Sequence, residues 1–318
     1  MSRKLISIPL IGMLMSSTAI AEVPNVAVDI APVHSLVSRV MEGVGKPNLI
    51  IRVGASPHGY RLRPSEAKAL QEANIVFWMG EGLTPQMEDT IATLSEDASV
   101  TALLEQDETM LLKFRESALF EGHDHSDHDD HDKHDDHDDH GDHDDHGHGE
   151  HDPHAWLSPD NAKSWVNLIA GKLSSVDPEN AATYFTNAAA AQEELEELSL
   201  DVTEILRPAK GGSYVVFHDA YQYFEVAFDF PASGAIALGD ASDPSPARIA
   251  EIQGRIREES IDCVLAEPQF NPKIVETVME GTPANTGVID PLGFGLEPGS
   301  GLYSQLIKNM AKTLAKCL

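Results

Sequence analysis

The sequence predicts an α/β protein of two lobes, each made of βα units around a parallel sheet, with one long rigid helix joining them. Three observations predict it. Apolar runs of strand length alternate with helix-like stretches in the first third of the chain, and the same alternation resumes beyond residue 209. Between them lies an Ala/Glu/Leu-rich stretch longer than an ordinary helix. Two lobes also suit the length, because 318 residues exceed what one compact core usually holds.

Taken in order, Ser2-Arg3-Lys4 precedes an apolar run over 5–15, and the small residues Ala19 and Ala21 fit a signal-peptidase site. Residues 1–21 are therefore expected to be a signal peptide, with the mature chain starting at Glu22. The run is too short to span a membrane, no cysteine follows it to carry a lipid, and no later segment approaches twenty apolar residues. This predicts an exported, soluble protein that is not membrane-embedded. In the expected first lobe, 22–176, strands at 26–30, 49–53, 75–79 and 100–104 alternate with helices at 65–73 and 85–94. That order implies a parallel sheet with helices on both faces. Asp177-Pro178-Glu179 supplies an N-cap and a proline at the first helical position, opening the linker helix predicted over 177–208. A helix of that length spans about 45 Å. With no Gly/Ser hinge in it, small rocking of the lobes is expected rather than large swings. The second lobe, 209–318, carries strands at 214–217, 263–266 and 286–289 and closes with a helix at 303–316.

The formal charge is −30, becoming −32 once the two leader cations are removed. Such a surface argues against nucleic acid or an anionic membrane as partner. Much of it comes from residues 122–151, a segment of eleven His and twelve Asp with no apolar side chain. Its histidines are His123, His125, His128, His131, His134, His137, His140, His143, His146, His148 and His151, eight of them at every third position. A carboxylate-only run would suit calcium or serve as a solvating tail, whereas imidazole suits a borderline metal such as zinc. Nothing in the segment forms a core, so it is expected to be a disordered loop that offers auxiliary metal ligands. The competing reading is an acidic spacer grown by repeat slippage.

Export also gives meaning to the only two cysteines, Cys263 and Cys317, since an oxidising compartment favours a disulfide between them. Their use as metal ligands is the alternative, without the close spacing such sites usually have.

Ligands of open parallel sheets bind beyond the carboxyl ends of the strands, and three scattered histidines fall there. His58 lies in Gly54-Ala55-Ser56-Pro57-His58-Gly59-Tyr60, after the second strand. His218 ends a strand in Phe217-His218-Asp219-Ala220-Tyr221. His154 precedes Ala155-Trp156-Leu157-Ser158-Pro159, where Ser158 and Pro159 read as the cap and first residue of a helix. A lone histidine is more often structural than a ligand, but three from two lobes point to one cation in the cleft between them. Asp290, in Asp290-Pro291-Leu292-Gly293, is a candidate fourth ligand, and a turn cap before proline is its alternative. His34, after the first strand, is a candidate for the cleft wall; Glu267 and Asp219 are candidates to orient ligand imidazoles.

These residues resemble a known family, the cluster A-I metal-binding proteins of bacterial ABC importers, particularly the ZnuA-type zinc carriers. The resemblance rests on the three histidine motifs, on Leu62-Arg63-Pro64-Ser65 and Ala266-Glu267-Pro268-Gln269-Phe270, and on Asp290-Pro291-Leu292-Gly293, all in the family's order. It implies a periplasmic, monomeric carrier whose cargo is Zn²⁺ and whose partner is the membrane permease of a zinc importer. It further implies His58, His154 and His218 as ligands, a Cys263–Cys317 disulfide, and a His-rich loop before the second ligand. Some members place a glutamate directly before the first ligand histidine; Pro57 stands there in this chain, leaving water or Asp290 as the fourth donor.

Two other functions stay open on the residues alone. A metal buffer without a transporter would act mainly through the loop. A zinc hydrolase would also use three histidines and water, but no His-Glu-x-x-His helix, Gly-x-Ser-x-Gly elbow or placed general base is present. The protein is expected not to be an enzyme.

Overall fold

Strand β1 (Val26–Val28) leads through α1 (Ala31–Val40) to β2 (Asn48–Leu49), followed by α2 (Pro64–Gln71), β3 (Ile75–Trp78), α3 (Glu88–Leu94) and β4 (Ser99–Ala102). The computed structural model describes residues 23–115, 150–237, 239 and 244–318. The predicted leader and ten of the eleven segment histidines, His123 to His148 in the order above, lie outside these residues. The four strands form a parallel sheet in the order β2-β1-β3-β4. β1 and β3 are buried along their whole length, as parallel strands covered on both faces must be, which is why they read as unbroken apolar runs.

Two long helices follow, α4 (Pro159–Val176) and α5 (Ala181–Leu206). The second half then repeats the pattern with β5 (Tyr214–His218), α6 (Gln222–Phe228), β6 (Gly234–Ala237), α7 (Pro246–Glu258), β7 (Cys263–Ala266), α8 (Pro272–Met279), β8 (Asn285–Val288) and α9 (Leu302–Cys317). Its sheet, β6-β5-β7-β8, is parallel and has the same topology as the first. In each, the chain builds outward on one side of the first strand and then crosses to the other, so β1 and β5 sit where ligands of such sheets bind.

The linker is a 26-residue α-helix flanked by 3₁₀ turns at Pro178–Asn180 and Arg207–Ala209, and the α-helical part is about 39 Å long. Asp177 bonds side chains rather than backbone amides: Oδ2 accepts from Asn180 Nδ2 at 2.7 Å and from Tyr184 OH at 2.8 Å. Tyr184, Ala188, Ala191, Leu195, Leu198, Val202 and Leu206 are buried at helical spacing. They belong to one apolar cluster that also takes in α1, α4, α9, both faces of the first sheet and the inner face of the second. The lobes thus share a core instead of meeting only through the linker. A smaller cluster of Val215, Phe217, Ile236, Ile252, Ile256, Val264, Val275 and Val278 fills the outer face of the second sheet beneath α7 and α8. The alternation along β5 explains the split, with Val215 and Phe217 facing out and Tyr214 and Val216 facing in. Cys263 and Cys317 form a disulfide with their Cα atoms 5.7 Å apart, tying β7 to the end of α9.

The second predicted strand is shorter than expected. The run over 49–53 keeps only Asn48–Leu49 as strand, although Ile50 N and Ile51 N still donate to Val28 O and Asp29 O at 2.8 Å. After β1 the chain turns into a helix at Ala31, so His34 is helical. Strand β6, Gly-Ala-Ile-Ala, carries one β-branched residue and no strand signature in its sequence.

Candidate metal centre

His218 is the last residue of β5. It lies on the inward face with Tyr214 and Val216 and reaches the carboxyl edge of the second sheet. His154 stands at the head of a 3₁₀ turn, Ala155–Leu157, after which the Ser158 side chain accepts from Asn161 N and Pro159 opens α4. This is the cap the sequence predicts. His58 sits in the turn-rich loop between β2 and α2, where His58 N donates to Ser56 Oγ at 3.2 Å and Gln86 Nε2 donates to Pro57 O at 3.0 Å. Glycine is favoured twice in that loop, at Gly59 with φ +77° and most strictly at Gly54. Gly54 has φ +84°, and a Cβ there would lie 2.5 Å from the ring of Phe294, which reaches over from the second lobe.

These placements bring His58, His154 and His218 together, with one ring nitrogen of each within 4.8 Å of the others. His154 is central, its ring centroid 5.5 Å from that of His58 and 5.3 Å from that of His218. Pro57, Trp156, Phe270 and Leu292 are among the walls of a half-open hollow of about 10 Å³. That is room for a single water or bare ion and not for a chelated one. The apolar side chains in the wall lower the local polarity, which strengthens any charge interaction inside.

Each buried imidazole is held by a carboxylate. His154 Nδ1 lies 2.6 Å from Asp152 Oδ1, which also accepts His154 N at 2.9 Å. His218 Nδ1 lies 2.6 Å from Glu267 Oε1. A carboxylate acceptor places the ring proton on Nδ1, so the lone pair of each ring is on Nε2, the form a metal ligand needs. Burial pushes the Asp152 carboxyl up to about 7, against the pull of the His154 amide, His218 and Arg115. Asp219 is raised to about 7 by the same burial, which the Arg115 charge opposes.

Of the two expected orienting carboxylates, Glu267 takes that part with His218. Asp219 instead accepts from Arg115 Nη1 at 2.9 Å, and Asp152 orients His154 in its place. Asp152 escaped notice because the twelve aspartates before it hide one more; its signal is the two-residue spacing to His154 before proline. His34 is not at the cleft wall. Its Nε2 lies 3.1 Å from Pro47 O and its Nδ1 3.4 Å from Ser38 Oγ, a structural role inside the first lobe. His151 forms an antiparallel bridge with Lys113 and is outside the cluster. Asp290 is also outside the group of three; its Oδ1 accepts from Gln269 Nε2 at 3.3 Å, Leu292 N at 3.0 Å and Gly293 N at 3.1 Å.

Residues 26–317 match the family described as the periplasmic component A of the zinc-uptake complex, ZnuA. The chain belongs to the ZnuA family. The high-affinity zinc uptake system protein ZnuA of Brucella abortus (strain 2308) is 47% identical over 313 residues, covering 95% of this chain and 94% of the relative. Its counterpart in Paracoccus denitrificans (strain Pd 1222) is 44% identical over 308 residues, covering 94% and 93%. Among solved structures, a crystal structure of ZnuA is similar with a TM-score of 0.73 at 21% identity, covering 93% of this chain and 99% of the other. The SBP FpvC from Pseudomonas aeruginosa in complex with Mn²⁺ gives a TM-score of 0.75 at 20% identity, covering 93% and 98%. Those two likenesses concern the fold. Members of the family are transport components and not enzymes, and among the described residues no helix is long and apolar enough to cross a membrane.

Proposed function

We propose that the protein captures Zn²⁺ in the periplasm through His58, His154 and His218 and hands it to the permease of a membrane ABC importer. The observation that carries this reading is the trio of imidazoles around a hollow of about 10 Å³, two of them buried and presented as Nε2 donors by carboxylates. Three neutral imidazoles favour zinc over the oxygen-loving cations. Membership of the family and the names of its relatives support import over storage.

The fourth donor is water or Asp290, whose Oδ1 is already held by Leu292 and Gly293. Export after Ala21, lobes at 22–176 and 209–318 about a helix at 177–208, and a monomeric carrier complete the reading. The histidines of residues 122–148 act as weak, fast-exchanging sites close to the cleft, because the segment 122–151 that holds them ends three residues before His154.

Gene deletion tests the import reading. Growth should fail under zinc starvation and return with the wild-type gene, but not with one encoding the triple variant His58→Ala, His154→Ala, His218→Ala. Normal growth of the deletion strain would point to a buffer instead.

A further inference from the structure

Zinc capture as proposed above depends on His154 and His218, which come from opposite sides of the linker, standing at ligating separation. His154 is carried on a stem of two short segments, 109–115 and 150–154. Lys113 and His151 bridge them, and Asp152 N donates to Leu112 O at 2.8 Å. On the first-lobe side, Asn161 of α4 holds the stem through Met110 N at 2.9 Å, Met110 O at 3.1 Å and Ala155 O at 3.1 Å.

On the second-lobe side the stem meets α6 and the residue that follows His218. The Tyr223 hydroxyl accepts from Leu112 N at 2.9 Å and donates to Asp152 O at 2.8 Å. Arg115 Nη1 donates to Asp219 Oδ1 at 2.9 Å, and Arg115 Nη2 to Glu225 Oε2 at 2.6 Å, with a longer contact of 3.3 Å between Nη1 and Glu225 Oε1. The Asp219 and Glu225 side chains are 6% and 3% exposed. Asp219 is bonded to His218, and Asp152 lies two residues from His154. The guanidinium therefore joins the strand end that carries one ligand to the stem that carries another.

We infer that Arg115 is a positioning residue for metal capture, clasping Asp219 and Glu225 of the second lobe to the stem and so fixing His154 against His218. A buried ion pair is poor value as a stabiliser alone, because apolar residues of similar volume commonly do as well. Its geometric content is what apolar packing does not reproduce: the planar fork takes two carboxylates in fixed directions. None of the clasp's bonds uses a ring nitrogen of the three histidines, so it constrains the separation of the two rings independently of the ion. Losing it leaves the ion to pull the rings together, which lowers affinity through faster release.

The test uses the mature chain with its His/Asp segment and compares Arg115→Gln, Glu225→Gln and the double variant. Zn²⁺ release is followed by stopped flow into excess chelator, with Zn²⁺ association rates and metal-free thermal midpoints measured alongside. Each single variant should release zinc about tenfold faster or more, in the range typical of residues that support a ligand from behind, with association unchanged. The double variant should be no faster than the quicker single, because both changes open one clasp.

Wild-type release rates in folded Arg115→Gln, with only a lowered midpoint, would make the pair merely structural and overturn the inference. So would single-variant effects that multiply in the double variant. Should the variants not fold, hydrogen exchange on the metal-free wild type decides: slow exchange at Leu112 and Asp152 is expected, and free-chain rates there would overturn it. A wild-type chain without a tight zinc site would defeat the capture reading itself, an outcome distinct from all of these.

Discussion

Replacing Glu267 by Gln isolates what the carboxylate behind His218 contributes to zinc. Glu267 Oε1 lies 2.6 Å from His218 Nδ1, and its side chain is 1% exposed. Glutamine has the same shape, and its amide oxygen still accepts the Nδ1 proton, so the tautomer and ring orientation are kept while the charge is removed. A cation on Nε2 would sit roughly 6–7 Å from that charge, allowing for the ring and a metal–nitrogen bond of about 2.1 Å. At an effective dielectric of about 20, a divalent ion and a unit charge at that distance interact by about 5 kcal/mol, which is a ceiling. Relaxation and the retained hydrogen bond reduce it to the 10–100-fold in affinity usual for such partners, or about 1.4–2.7 kcal/mol. The assay is chelator competition with Zn²⁺ above the histidine pH range, with the metal-free melting temperature as control. A folded Glu267→Gln protein within threefold of wild-type affinity would refute the claim that the carboxylate tunes the ligand electrostatically.

Other predictions test the frame around the site. Asp29 Oδ1 accepts Ile30 N at 2.7 Å and Oδ2 accepts Met79 N at 2.6 Å, so Asp29→Asn turns an amide nitrogen toward an N–H in either orientation. Denaturant unfolding should show a loss of about 1–3 kcal/mol. Reducing the Cys263–Cys317 bridge, which spans 54 residues, should cost about 4 kcal/mol in the chain-entropy model, read as a lower unfolding midpoint of the metal-free protein. Gly54→Ala places a methyl group 2.5 Å from Phe294 at φ +84°, so it should lower both the melting temperature and zinc affinity by disturbing the loop that carries His58. Because protons compete with the metal for imidazole nitrogens, zinc affinity should fall as the pH is lowered from about 8 to about 5. Competition titrations across that range check the slope.

The site's three histidines are legible in the sequence because each stands beside a local signal, a strand end for His218, a glycine-flanked turn for His58 and a helix cap for His154. Their grouping followed from the parallel-sheet rule. What supports them was not legible, because it depends on distant pairings. Arg115 meets Asp219 and Glu225 across 104 and 110 residues, and Tyr223 meets Leu112 across 111. An arginine beside an Asp-rich run reads as a solvated charge until the fold closes over it. His34 shows the converse error: its place after a strand pointed to the cleft, whereas the helix starting at Ala31 turns it toward Pro47. In the same way the four-residue β6 owes its strand to its place beside β5, since Gly-Ala-Ile-Ala has little propensity of its own.

The most direct test of the central claim is a chelator-competition titration of the mature protein lacking residues 122–148, run with Zn²⁺ and Mn²⁺ in parallel, beside the same protein with His58, His154 and His218 changed to alanine. The account predicts one tight, zinc-preferring site in the first protein and none in the second. Loss of the tight site on removing 122–148, or its survival without the three histidines, would contradict it.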